Sequence, residues 1–164
     1  EPYAYADNRP TQDVGIDRFS VYSGGKDTVP KSARPRGYIV EIGNYTSPIG
    51  STYEIIEGQF RGKPFTWHEA KIDAEAKGGH LATITSQAEW TKIIAIPGFR
   101  AWLWLGGHQP NGGPNEGDPK GGWEWITGEA WGQVDGWDSS AGKGNEPNNS
   151  GGNQHHLQTW HLRY

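Results

Sequence analysis

Apolar side chains in this sequence come in short runs closed off by glycine. Gly37 opens the run Tyr38-Ile39-Val40-Glu41-Ile42, and Gly43 closes it. β-Branched and aromatic residues between two glycines predict a strand. A second strand is predicted at Tyr53-Glu54-Ile55-Ile56, beyond the loop from Asn44 to Gly50. The two are expected to pair as an antiparallel hairpin, across a loop longer than the commonest ones. A further strand candidate, Asp17 to Tyr22, lies in an otherwise polar, proline-rich stretch over residues 1 to 37.

Two helix starts follow. Thr66-Trp67-His68-Glu69 has the capping-box pattern, so a helix is predicted from there to about Lys77, where Gly78-Gly79 stops it. Ala70 and Ala74 share one face of it, small enough for a neighbouring element to pack closely. Ser86-Gln87-Ala88-Glu89 repeats the pattern, and Pro97-Gly98 ends the second helix. Between the helices, His80 to Ile84 reads as a short strand or extended link. Trp102-Leu103-Trp104-Leu105-Gly106-Gly107 suits a buried strand, and Trp123 to Glu129 begins with strand-like alternation. The segments between and after these two are long loops, which in a compact domain are usually functional or disordered.

Composition narrows the class. The 164 residues suit one domain of ordinary size with an appendage. Only 33% are hydrophobic, and nine tryptophans compensate, each able to bury a large area. The net charge of −4 gives no basic surface for nucleic acid. No run reaches the roughly 18 apolar residues of a membrane helix. With no cysteine, disulfides and thiolate zinc sites are excluded.

Candidate chemistry concentrates in Gly144-Asn145-Glu146-Pro147-Asn148-Asn149-Ser150-Gly151-Gly152-Asn153. Glu146 and Asn148 offer oxygen ligands on either side of a proline that bends the chain, and hard cations such as calcium take such ligands. The plainer reading is a solvated turn, since Gly, Pro, Asn and Ser dominate turns. Trp131 and Trp137 could stack on sugar rings, with core packing expected for at least one. Enzyme chemistry is not expected. His155, His156 and His161 invite a zinc reading, but adjacent residues of a strand point to opposite faces, and solvated surface histidines are expected instead. A glycosidase needs two carboxylates about 5 to 9.5 Å apart, and nothing in the spacing of Glu116, Asp118, Glu129, Asp135 and Asp138 pairs them.

In order and spacing, the segments Trp67-His68-Glu69-Ala70, Gly78 to Ile84, Trp104-Leu105-Gly106-Gly107, Trp123-Glu124-Trp125, Thr127-Gly128-Glu129 and Glu146-Pro147-Asn148 together resemble a C-type lectin-like domain of the cysteine-free, bacterial type. The resemblance runs from about Tyr53 to Gln158. It implies an α+β fold with two helices, small antiparallel sheets and a long loop region carrying the ligand site. It also implies calcium-dependent binding of mannose- or glucose-type sugars, with Glu146, Asn148 and Gln154 as metal and sugar ligands. Location outside the cell or on its surface goes with that function. Gln154 stands where the family usually has a Glu, and the family's later Trp-Asn-Asp motif and final strand are missing. A calcium-independent module that binds protein or builds an assembly is therefore the alternative.

The missing parts have look-alikes near the other end. Gly37 to Ile42 resembles the family's closing strand, and Asp27 stands like the Asp of the absent motif. Residues 1–43 are expected to be the end of a preceding lectin-like domain, or a permuted or strand-donating part. Residues 51–164 are then a lectin-like domain lacking its last strand. A tandem fragment, a circular permutant and strand exchange with further copies of the chain each fit, and the absence of methionine favours a fragment. In every case Tyr38 to Ile42 is expected to pair with Tyr53 to Ile56.

Overall fold

The computed structural model describes residues 19–22, 37–43, 50–57, 59–60, 63–100, 102–110, 118–132, 147 and 154–159. Among these the chain forms β1 (Phe19–Tyr22), β2 (Gly37–Ile42), β3 (Thr52–Glu57), β4 (Gln59–Phe60), β5 (Lys63–Pro64), α1 (Trp67–Ala76), β6 (His80–Leu81), α2 (Gln87–Ile94), β7 (Leu103–His108), β8 (Glu124–Trp125) and β9 (His156–Thr159). The class is α+β, as expected. The strands depart from the expectation of small antiparallel sheets. Seven of them form one mixed sheet in the order β1-β9-β7-β2-β3, with β6 joined to β2 and β8 to β7. β4 and β5 form a separate antiparallel pair.

The hairpin of β2 and β3 forms as expected, from Gly37↔Glu57 to Ile42↔Thr52. At the other end of the path, β1 pairs antiparallel with β9, from Phe19↔Thr159 to Tyr22↔His156. Strands from residues 1–43 and from 51–164 thus share one sheet. The parallel pair is β2 with β7, at Gly37↔Leu103 and Tyr38↔Trp104. Parallel strands need a long crossover, and here the crossover carries β3, both helices and β6.

β2 and β7 then part, and the fork between them is filled by chain. β6 pairs with β2 at Val40↔Leu81 and Glu41↔His80. The Ala82 amide donates to Ile39 O at 2.8 Å, and the Gly106 amide donates to Ala82 O at 2.8 Å. Backbone approaches backbone so closely that side chains are excluded. A Cβ on Gly79 would lie 2.3 Å from Glu41 O, and one on Gly106 would lie 2.7 Å from Leu81 O. β7 also bulges here, taking four residue steps from Trp104 to His108 while β9 takes two from Gln158 to His156. The strand starts one residue later than the apolar run, because Trp102 turns through left-handed backbone at φ 67°.

Both helices begin where their capping boxes predict. Glu69 N donates to Thr66 Oγ1 at 3.2 Å and Thr66 N to Glu69 Oε2 at 2.9 Å. At α2 the matching distances are 3.2 and 3.0 Å for Ser86 and Glu89. Glu89 Oε2 also accepts from the Thr85 amide at 2.7 Å, so this buried carboxylate ties down the turn before the helix. α1 stops in a Schellman arrangement, with Gly79 N donating to Ala74 O and Gly78 N to Glu75 O, and with Gly78 at φ +81°.

The helices cover opposite faces of the sheet. Trp67, Ala70 and Ala74 of α1 pack on Tyr38, Val40, Leu81 and Trp104. Trp90, Ile93 and Ile94 of α2 pack on Ile39, Leu103, Leu105 and Leu157, with Trp123 and Trp125 closing that cluster. The two clusters take alternate residues of the same strands, as the pleat requires. Ala70 and Ala74 are fully buried, as their size suggested. Among the described residues no helix is long and apolar enough to cross a membrane.

The fork sets a stability order for the two glycines after α1. Gly79→Ala is expected to cost about 3 kcal/mol, because the added Cβ overlaps a backbone oxygen that cannot move independently. Gly78→Ala has open space and is expected to cost about 1 kcal/mol, for left-handed backbone alone. Urea unfolding of the two variants measures the difference.

Candidate functional site

The long loops leave the sheet from one end, where β7 finishes and β9 begins. Residues 109–123 run from β7 to β8, and the chain from 126 to 155 returns to β9. The root of this region is held by one side chain. Gln109 is 4% exposed. Its amide nitrogen donates to Asp118 O at 2.8 Å and to Gly121 O at 2.5 Å. Its carboxamide oxygen meets His155 Nδ1 at 2.9 Å. That oxygen can only accept, so the proton of the His155 ring sits on Nδ1. The Gln109 amide also donates to His155 O at 2.9 Å, continuing the β7–β9 ladder one step beyond the strands. One buried residue thereby joins the exit of the first long loop to the return of the second.

On the α2 side of the root, three indoles stack. Trp131 lies 5.7 Å from Trp123 at 26° and 4.6 Å from Trp125 at 40°. Trp123 Nε1 donates to Pro119 O at 2.9 Å, anchoring the first loop to this stack. Trp131 therefore packs against the core, as expected for at least one of the two loop tryptophans. Gly107 lies under the stack, where a Cβ would come 3.1 Å from Trp131 Cη2.

On the α1 side, imidazoles replace apolar side chains. The Trp67 ring has His108 stacked on it at 5.1 Å, His156 at 4.6 Å and His68 edge-on at 5.2 Å. His68 and His156 are themselves 5.3 Å apart. The expectation of solvated surface histidines fails here, since His156 is only 5% exposed. The cause is the pleat: His155 turns to Gln109 while His156 turns under α1 against Trp67. Burial pushes the His156 imidazole down to about 3, with His68, His108 and His155 adding like-charge repulsion. Burial also lowers His108, opposed by the nearby Glu124 carboxylate. Both rings stay neutral at physiological pH and behave as flat, semi-apolar packing units. Two residues along β9, Gln158 is fully buried and neither atom of its carboxamide has a hydrogen-bond partner.

Of the residues singled out as ligands, Gln154 lies half-buried directly before His155, at the clamped return of the loop. Glu146, Asn148 and Trp137 lie outside the described residues. Pro147 between the first two is described, and it is buried. Among the described residues no group of three or more His, Asp or Glu side chains is arranged to hold a metal ion. The Gln109 clamp and the gathering of His68, His108 and His156 carried no signal in the sequence, because each brings together positions tens of residues apart.

Acid should destabilise the protein through His156. Its folded value of about 3 lies below the ordinary 6.5, so the unfolded chain takes up a proton that the folded one refuses. Stability contributed by this group falls as pH drops from about 6.5 to 3, by up to about 1.4 kcal/mol per pH unit. In urea unfolding, the wild type is expected to lose about 2 kcal/mol between pH 7 and pH 5 relative to His156→Phe, a difference that isolates this group from other titrating side chains. Gln109→Ala is expected to cost about 1 to 2 kcal/mol by removing the two hydrogen bonds to the Asp118 and Gly121 carbonyls and the one to His155, and to speed hydrogen exchange at the Gly121 amide. In comparisons with known proteins, the chain matches no protein-family model, no curated protein and no solved structure.

Proposed function

We propose that the chain has a C-type lectin-like fold and binds mannose- or glucose-type sugars through a calcium ion held by its second long loop. The observation that carries this reading is the burial of Pro147. A solvated turn leaves its proline ring in water. A packed one fixes the backbone at Pro147, between the two proposed ligands. The loop returns through Gln154 to a base that Gln109 and His155 hold in place. Preorganisation of this kind lowers the ordering cost of binding.

The donor set fits calcium, and weakly. Glu146 supplies one carboxylate, while Asn148 and Gln154 supply neutral carboxamide oxygens of the kind calcium accepts. A bound calcium ion leaves positions for sugar hydroxyls, because it takes up to about eight oxygens. The Glu146 carboxylate accepts hydrogen bonds from those hydroxyls, and such charge-assisted bonds are the stronger ones. With a single negative charge the site should bind calcium only at roughly millimolar levels. Such affinity suits the outside of a cell or its surface. The role is binding rather than catalysis.

The neutral Gln154 favours a second reading, a lectin-like module that binds protein or builds assemblies without calcium. Tryptophan fluorescence during a calcium titration, with retention on immobilised mannose or glucose in calcium against chelator, separates the two. The expected result is saturable calcium-dependent quenching, retention that chelator abolishes, and loss of at least tenfold in affinity for Glu146→Ala and Asn148→Ala. No calcium-linked change and no retention would overturn the sugar reading in favour of the second.

A further inference from the structure

The fork between β2 and β7 holds a carboxyl group where apolar side chains are expected. Glu41 is the fifth residue of β2 and is fully buried. Its Oε2 receives the Thr83 amide at 3.2 Å and lies 3.3 Å from the Thr83 hydroxyl. That hydroxyl is 2.8 Å from Glu129 Oε2, which the Thr127 hydroxyl also approaches at 2.6 Å. Glu41 Oε1 is buried without a hydrogen-bond partner, as is Ser51 Oγ.

Proton bookkeeping decides how these contacts run. The Thr83 hydroxyl has one proton to give. The shorter contact, to Glu129, takes it. Toward Glu41 the hydroxyl then presents a lone pair, and two oxygens 3.3 Å apart attract only if the other supplies a proton. Among the described residues, only His80 is placed to stand in for that proton. His80 Nδ1 is 4.0 Å from Glu41 Oε2, but it lies 2.9 Å from Leu81 O, an acceptor that claims its hydrogen.

We infer that Glu41 is a neutral carboxylic acid in the folded protein, the donor end of a chain from Glu41 through the Thr83 hydroxyl to Glu129, and that ionising it unlocks the fork. The chain of bonds ties β2 to the link between the helices, and that link to Glu129 just ahead of Trp131 and the second long loop. An ionised Glu41 loses its donor, faces Glu129 across one hydroxyl, and loosens this tie.

The surroundings agree. Burial pushes the Glu41 carboxyl above its ordinary range, and the Glu89 carboxylate of α2 adds to the rise. The Ser51 hydroxyl, the Thr83 amide and His80 oppose it. From β3 the phenol of Tyr53 completes the set, itself raised chiefly by burial and then by Glu41 and Glu89. A carboxyl held above its unfolded value favours the folded state while protonated. Stability therefore falls as pH rises from the unfolded value, 4.5, through the folded one.

Urea unfolding of the full chain and of Glu41→Gln between pH 5 and 9 tests the assignment. Glutamine keeps the shape and the donor but cannot ionise. The unfolding constant of the wild type should rise relative to that of the variant as pH rises, by up to tenfold per pH unit until the folded carboxyl ionises. A variant that fails to fold, or a ratio of unfolding constants that stays flat or falls with rising pH, would point to an ionised Glu41 and would overturn the inference. Infrared spectra give an independent reading on the wild type. A protonated-carboxyl carbonyl band should persist at pH 7 and be missing from Glu41→Gln, and its absence from the wild type at that pH would equally overturn the inference.

Discussion

The structure depends on the close approach of three backbones where β2 and β7 part. The chain from Gly79 to Ala82 can enter that gap only because Gly79 and Gly106 carry no side chain. Ala82 is then bonded on one side to Ile39 and on the other to Gly106, so both of its backbone polar groups are paired inside the gap. The same entry explains the end of α1. The Schellman turn at Gly78 directs the chain off the helix and straight into the fork. It also sets the start of α2, since Thr83 to Thr85 emerge from the fork on the opposite face of the sheet.

Around this joint the interior is held by polar side chains as well as apolar ones. Trp67 Nε1 donates to Leu105 O at 2.7 Å, and Trp104 Nε1 donates to Phe65 O at 2.9 Å. Each indole thus reaches the main chain beside the other, joining the start of α1 to β7. Thr159 performs a similar service at the far end, accepting from the Leu103 amide and donating to Arg100 O. A buried polar group costs stability unless its partner is in place. These bonds therefore favour one packing over alternatives that would bury the same apolar area. With few aliphatic residues available, indoles and imidazoles fill the volume, and their hydrogen-bonding edges determine how they fit.

Local signals in the sequence were reliable where the cause is local. The capping boxes at Thr66 and Ser86, the glycine stop after Lys77 and the strands at Gly37 and Tyr53 appear as read, and the strand read from Trp102 begins one residue later, because each signal depends on contacts within a few residues. The pairing of β2 with β3 also followed, from two glycine-bounded apolar runs separated by one loop. Less could be read of the candidate site. Pro147 and Gln154 were visible as loop chemistry. The burial of His156, the clamp made by Gln109 and the buried carboxyl of Glu41 were not, since each rests on at least one partner 40 or more positions away.

What the sequence by itself determined was the set of elements, their caps, and a glycine and tryptophan spacing that admits few ways of packing them. The tertiary structure decided that the sheet is mixed rather than several small antiparallel pieces. It also decided which of two adjacent histidines is buried, and which carboxyl lies in the core. The physical reason is range. Helix starts and strand runs are set by hydrogen bonds and sterics a few residues long. Desolvation, proton sharing and close backbone approach arise only when β2, the helix link and β7 meet at the fork.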